Sequence, residues 1–153
     1  MAQHSIVSPV HVSRSSGDSL ADLIVELTGP TTTRIAHTHS NAVLETAMAP
    51  EYGGTGGAFS STDLVAAALG SCIATNLGPL AERHGIPLGA IRLAVRKHLT
   101  PPPKRIGRLE VTVQVTAALT AELRARFENA AASCTVHRSL HPDLVCAIRF
   151  EWS

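Results

Sequence analysis

The chain has little of several things that define whole classes of protein. Three cysteines in 153 residues are too few for a disulfide scaffold. Aromatic residues make up only 3%, which argues against a stacking platform for single-stranded nucleic acid. Neither sign of charge dominates. The 13 basic and 12 acidic side chains give a formal charge of +1 with no basic stripe, so no nucleic-acid partner is expected. No stretch of 18 apolar residues occurs, so no membrane partner is expected either. The first residues, Met1-Ala-Gln-His-Ser-Ile-Val-Ser-Pro9, lack a charged start followed by an apolar run and do not read as a secretory signal. Together these absences predict a soluble, thiol-keeping protein of the cytoplasm.

What is present suffices for one core, since 44% of the residues are apolar. Residues 1–19 are polar and mixed and read as an N-terminal arm with one edge strand at 6–12; residues 20–153 read as one domain. Three short extended stretches, 23–27, 32–39 and 42–48, are separated by turn residues and predict an antiparallel meander. The glycine-rich loop Glu51-Tyr-Gly-Gly-Thr-Gly-Gly-Ala58 lacks the Lys-Ser/Thr of a phosphate-binding loop. It reads instead as a connector that lets one backbone approach another closely.

A helix is expected from Ser60 or Ser61. Ser60-Ser-Thr-Asp63 has the form of a capping box, and Asp63 suits the positive end of a helix. Val65, Leu69, Cys72, Ile73, Leu77 and Leu80 recur at spacings of three and four, while Ala66, Ala67, Gly70 and Ala74 keep much of the remaining surface small. Such a helix is suited to close packing against other backbone. Pro79 should bend it, and Gly85 and Pro87 should stop it. Alternation at 91–96 and 109–115 predicts two strands. A second helix from about Thr120 places Leu123, Phe127, Ala130, Ala131 and Cys134 on one face, with Cys134 in its last turn. A final strand carries Leu144, Cys146, Ile148, Phe150 and Trp152 on one side. The resulting order, β-β-β-α-β-β-α-β, is an α+β arrangement with long helices packed on antiparallel sheet.

Two of the cysteines stand out. Cys72 closes Ala66-Ala-Ala-Leu-Gly-Ser-Cys72 and Cys134 lies in Ala130-Ala-Ala-Ser-Cys-Thr-Val-His137, two Ser-Cys settings 62 positions apart. Each alone reads equally well as a small buried hydrophobe. If both helices turn these faces to one core, the sulfurs meet, and the chemistry is reversible oxidation to a disulfide. Cys146, alternating with Leu144 and Ile148, reads as an inward structural residue. The histidines compete as metal ligands through His37 and His39, or through Cys134, His137 and His141. No Cys-x-x-Cys occurs and His141 falls in a turn beside Pro142, so no metal or other cofactor is expected. No Gly-x-Ser-x-Gly elbow supports a hydrolase.

The run from Gly53 to Cys72, together with Cys134-Thr-Val-His-Arg-Ser-Leu140, resembles the OsmC/Ohr family of osmotically inducible and organic hydroperoxide resistance proteins, in a divergent form. The resemblance implies an intertwined homodimer in which each chain gives strands to the other's sheet, with two central helices and sites at the interface. It implies that Cys72 is the peroxidatic thiol and Cys134 the resolving one, that the substrate is an organic hydroperoxide, and that a lipoyl-type or small dithiol resets the pair. The family's Glu position falls on Thr62, with Asp63 beside it. Its Arg position falls near Arg34, displaced by about three residues. A free thiol with a pKa near 8.5 is only about 3% ionised at pH 7, so Cys72 needs a cationic neighbour, and Arg34 or an Arg of the partner chain fills that role in this reading. The missing Glu leaves a second reading open, a non-catalytic thiol sensor or small-molecule binder on the same fold.

Overall fold

The computed structural model describes residues 22–153. The N-terminal arm and the strand expected at 6–12 therefore lie outside the described residues. The chain divides after Ser60 into two compact units, where the residue pattern joins 20–153 in one domain.

The first unit holds the expected meander. Strands β1 (Leu23–Gly29), β2 (Thr32–His37) and β3 (Val43–Ala47) form an antiparallel sheet in that order. The turn between β2 and β3 places Asn41 at φ 57°, a left-handed conformation that Asn tolerates, and closes with His37 N–H donating to the Ala42 carbonyl at 2.9 Å. Register puts Val25, Ile35 and Leu44 side by side across the three strands, and Glu26, Arg34 and Glu45 side by side on the opposite face. After β3 the glycine-rich loop does what its composition predicts. A Cβ on Gly54 would lie 1.7 Å from the Met48 carbonyl oxygen, so only glycine permits that approach.

The second unit begins with α1 (Ser61–Arg83), starting where the capping signal places it. Strands β4 (Ile91–Leu99) and β5 (Ile106–Val115) pair antiparallel from Ile91↔Val115 to Leu99↔Ile106. Helix α2 (Ala121–Ala132) is capped by Thr120, whose hydroxyl accepts from Leu123 N–H. A short helix α3 (Thr135–Ser139) comes next, and β6 (Val145–Trp152) completes the chain. Central strand β5 turns Leu109, Val111, Val113 and Val115 inward, all fully buried. Against them lie Leu69, Ile73 and Leu77 of α1 and Phe127 and Ala131 of α2. Full burial of a large apolar side chain is worth about 1.5–3 kcal/mol, against about 1 kcal/mol for a helix cap. The buried stripe, rather than the start signal, therefore holds α1 in place.

Three expectations change. The second sheet is mixed rather than wholly antiparallel, since β6 runs parallel to β5 from Arg108↔Val145 to Val115↔Trp152. A parallel neighbour needs a crossover, and α2 with α3 supplies it. Cys134 is not in the last turn of α2: the helix ends at Ala132, and Cys134 is the cap residue of α3. Finally, α1 is long and apolar enough by length and composition to cross a membrane, with a mean hydropathy of 1.6 over its most apolar stretch. Alanines and interspersed Gly, Ser and Thr build that average without a continuous apolar run, and a core helix passes the same test. The helix continues through Pro79.

The smallness of α1 has a specific cause at Gly70, where an added Cβ would stand 2.8 Å from Val95 Cγ2 on β4. Gly70→Leu is expected to destabilise the fold by about 1–3 kcal/mol through overpacking, outweighing its better helix propensity. Urea unfolding checks this, and Val95→Ala in the same chain should recover part of the loss. Additive effects of the two substitutions would show that the contact does not limit the packing.

Candidate active site

Cys72 lies in the middle of α1, half-buried, and Cys134 is fully buried at the break between α2 and α3. The structure brings these two thiols close enough to act on each other's ionisation, with no disulfide between them. The pair is asymmetric. The Cys134 S–H donates to the Cys72 sulfur and holds Cys72 below the ordinary thiol range; the Val136 N–H adds to this, burial opposes it, and the Thr135 N–H contributes last. Cys134 moves the other way. Burial raises it first, and its proton is further retained because it bridges to the Cys72 sulfur, although the His137 and Val136 N–H groups act against this. The two thiols are thus shifted in opposite directions, Cys72 down and Cys134 up. Cys146 on β6 packs against the core, and burial pushes it up, in keeping with a structural residue.

The local structure explains the arrangement. Leu69 and Ile73 are fully buried and lie about 60° and about 100° round the helix from Cys72, both on the same side of it, so Cys72 stands at the edge of the core stripe. Ala131 anchors the last turn of α2, and the chain then breaks at Ser133. Cys134 caps α3, its sulfur accepting from His137 N–H at 3.4 Å. The break turns the next two N–H groups, which a continuous helix would have consumed, toward Cys72.

Arg34 and Asp63 each have charged neighbours within their own unit. Arg34 lies mid-β2 in the first unit, with Glu26 and Glu45 opposite it on the neighbouring strands. Asp63 stands nine residues before Cys72 on α1, about 13 Å away along the axis and half a turn round. Lys97 Nζ meets its carboxylate at 2.5 Å and the Thr62 hydroxyl at 2.8 Å. Within one chain, then, the helix separates Asp63 from Cys72, and its evident task is to tie the start of α1 to β4. Sequence reasoning missed Lys97. Its signal was the phase of β4, in which Lys97 takes the inward side with Ile91, Leu93 and Val95. Among the described residues no group of three or more His, Cys, Asp or Glu is placed to hold a metal ion. The His37 and His39 rings lie 5.5 Å apart, tilted at 41° to each other, and His141 lies against Asp143.

Residues 54–149 match the family model described as OsmC-like protein. The chain belongs to the OsmC family. Among solved structures, an osmotic stress and detoxification response protein of Psychrobacter arcticus is similar at 28% identity, with 86% of this chain and 96% of that one covered and a TM-score of 0.81. An organic hydroperoxide resistance protein OsmC of Legionella pneumophila is similar at 22% identity, covering 88% and 98%, with a TM-score of 0.62. One from Elizabethkingia anophelis, also named an organic hydroperoxide resistance protein, is similar at 14% identity, covering 88% and 97%, with a TM-score of 0.62. No curated protein matches by sequence. The low identities fit a divergent OsmC-family member, and the last two likenesses concern the fold alone.

The asymmetry has a measurable consequence. At neutral pH, limiting iodoacetamide should label Cys72 well before Cys134 or Cys146. Cys134→Ala removes the main stabiliser of the thiolate and should slow labelling of Cys72 by about threefold or more. Cys72→Ala should leave Cys134 slow, because burial still opposes its ionisation. Peptide mass mapping reads the order, and preferential labelling of Cys134 in the unmodified chain would reverse the assignment.

Proposed function

We propose that this OsmC-family protein is a thiol peroxidase that reduces organic hydroperoxides to alcohols through Cys72 and Cys134. The observation that carries the reading is the unequal thiol pair, in which Cys72 accepts hydrogen bonds while Cys134 keeps its proton. The Cys72 thiolate attacks the terminal oxygen of the hydroperoxide. An S–O bond forms, the O–O bond breaks, and the alkoxide leaves and takes a proton to become the alcohol. Cys72 is then a sulfenic acid. Cys134 attacks its sulfur, an S–S bond forms, and the hydroxyl leaves with the Cys134 proton as water. An external dithiol restores both thiols by exchange and is itself oxidised to a disulfide. The small apolar groups around Cys72, among them Ile73 and Ala131, suit an alkyl hydroperoxide better than hydrogen peroxide. No cofactor enters these steps.

A homodimer is part of the proposal. Leu23, Val25 and Leu27 share one face of β1 and are 55%, 61% and 81% exposed; Leu44, in the same row as Val25, is also exposed. A second copy of this chain is the occupant that an intertwined family fold supplies for that face. Sedimentation should find a dimer at micromolar concentration, and Val25→Lys with Leu27→Lys should weaken it. A stable folded monomer of the unmodified chain would remove the dimer from the proposal.

Two observations favour the second reading, a thiol sensor or binder. Arg34 sits in register between two glutamates, and the Asp63 carboxylate is held by Lys97. Turnover of cumene hydroperoxide with a dithiol reductant separates the readings. Turnover that disappears in Cys72→Ser, with a Cys72–Cys134 bridge mapped after one equivalent of peroxide and Cys146 left free, supports the peroxidase. No turnover with several peroxides overturns it in favour of the sensor. Arg34→Ala is the finer probe: a slower reaction at Cys72 in the dimer would assign Arg34 to the site, and an unchanged one would leave the local donors as the activating groups.

A further inference from the structure

The last carbonyls of α2 have no helical donors of their own. Some are satisfied locally: Ser133 Oγ donates to the Asn129 carbonyl at 2.7 Å, and Cys134 N–H to that of Ala131 at 3.4 Å. Two carbonyls receive side-chain N–H groups from outside the helix, that of Ala130 in addition to the Ser133 N–H at 3.3 Å. Asn76 Nδ2, on α1, donates to the Ala130 carbonyl at 3.3 Å. His137 Nδ1, on α3, lies 3.3 Å from the Ala132 carbonyl; a carbonyl only accepts, so this nitrogen carries the hydrogen.

Asn76 follows Cys72 by four residues and His137 follows Cys134 by three. Asn76 is one turn beyond Cys72, so one face of α1 carries both the thiol and the amide that reaches α2. His137 is held twice, since its ring returns to Ala132 while its backbone N–H meets the Cys134 sulfur at 3.4 Å. Between Ala132 and His137 lie Cys134 and the two peptide groups that face Cys72.

We propose that Asn76 and His137 are positioning residues that clamp the break between α2 and α3, one from α1 and one from α3, fixing Cys134 and the Thr135 and Val136 amides against Cys72. An N–H···S bond is directional, and a modest rotation of the peptide planes at 135 and 136 aims those hydrogens elsewhere. Removing a clamp frees the break to rotate in this way and returns Cys72 toward an ordinary thiol. Neither residue needs to touch the reacting sulfur. The inference rests on Cys72 and Cys134 acting as the proposed couple, but not on which oxidant they meet.

The test is the pH profile of Cys72 alkylation by iodoacetamide in the full chain, read by mass mapping, with the thermal midpoint measured alongside. Asn76→Ala and His137→Ala should each move the profile to higher pH and slow labelling at neutral pH by about threefold. His137→Asn, which keeps a donor near the Nδ1 position, should restore most of the profile even if the thermal midpoint stays lowered. A purely structural role would lower the midpoint in all three variants and leave the profile alone. Unchanged profiles in the alanine variants, a shift at one position only, or failure of His137→Asn to restore it would each overturn the proposal. If Asn76→Ala does not fold, Asn76→Asp replaces the donor with an acceptor at nearly the same size and should shift the profile in the same direction. Peroxide turnover is not read in this experiment. A shifted profile in a chain that turns over no peroxide would sink the peroxidase reading and leave this one standing.

Discussion

The contact between Cys72 and Cys134 depends on one packing constraint, the burial of α1 against the sheet face of β5. Leu69, Ile73 and Leu77 lock the rotation of the helix about its axis, and Gly70 lets it come close to β4. Once that rotation is set, Cys72 has one direction in which to face. The break in the chain after Ala132 then meets it there. A continuous helix through 134 would have spent the N–H groups of Thr135 and Val136 on its own carbonyls. Breaking it releases those donors, and they act on a sulfur that is itself half-buried.

Within the second unit of one chain, the groups that act on Cys72 are neutral. A cationic neighbour was the expected means of activating Cys72. The lowering groups found on Cys72 are neutral donors, one S–H and two N–H, all within the second unit. Neutral donors suit a site with apolar walls, since they stabilise a thiolate without bringing a second charge whose own desolvation would have to be offset. The burial that opposes ionisation at Cys72 is also what keeps the proton on Cys134, so a single environment drives the two thiols apart. The nearest analogue of a charged pair in the second unit, Lys97 with Asp63, is used at the start of α1. There it joins a helix terminus to a strand, with the carboxylate at the positive end of the helix.

Glu26, Arg34 and Glu45 form a row of alternating charge across the first sheet, while the opposite face presents Val25, Ile35 and Leu44. A three-stranded sheet with an apolar face in the open has not finished burying its surface within its own unit, so its stability is tied to whatever covers that face. This is the physical reason for carrying a second copy of the chain in the proposed function.

Much of the fold was legible in the residues because period two and period 3.6 are local properties. Leu109, Val111, Val113 and Val115 announced β5, and Leu69, Ile73 and Leu77 announced the buried side of α1. Ser60-Ser-Thr-Asp63 marked where α1 starts, and the glycines near Met48 marked a close backbone approach. The paired Ser-Cys settings nominated Cys72 and Cys134 before any geometry was known. Tertiary structure alone decided the rest. The parallel pairing of β6 depends on where a crossover deposits the chain, which no strand pattern records. The break between α2 and α3 falls in a run of small residues, Ala130-Ala-Ala-Ser133, whose propensity permits helix to continue. The inequality of the two thiols depends on how Cys134 and the Val136 and Thr135 amides face Cys72 and on how deeply each sulfur is buried. Sequence sets which groups exist and how they repeat; contacts between residues tens of positions apart exist only once the core has closed.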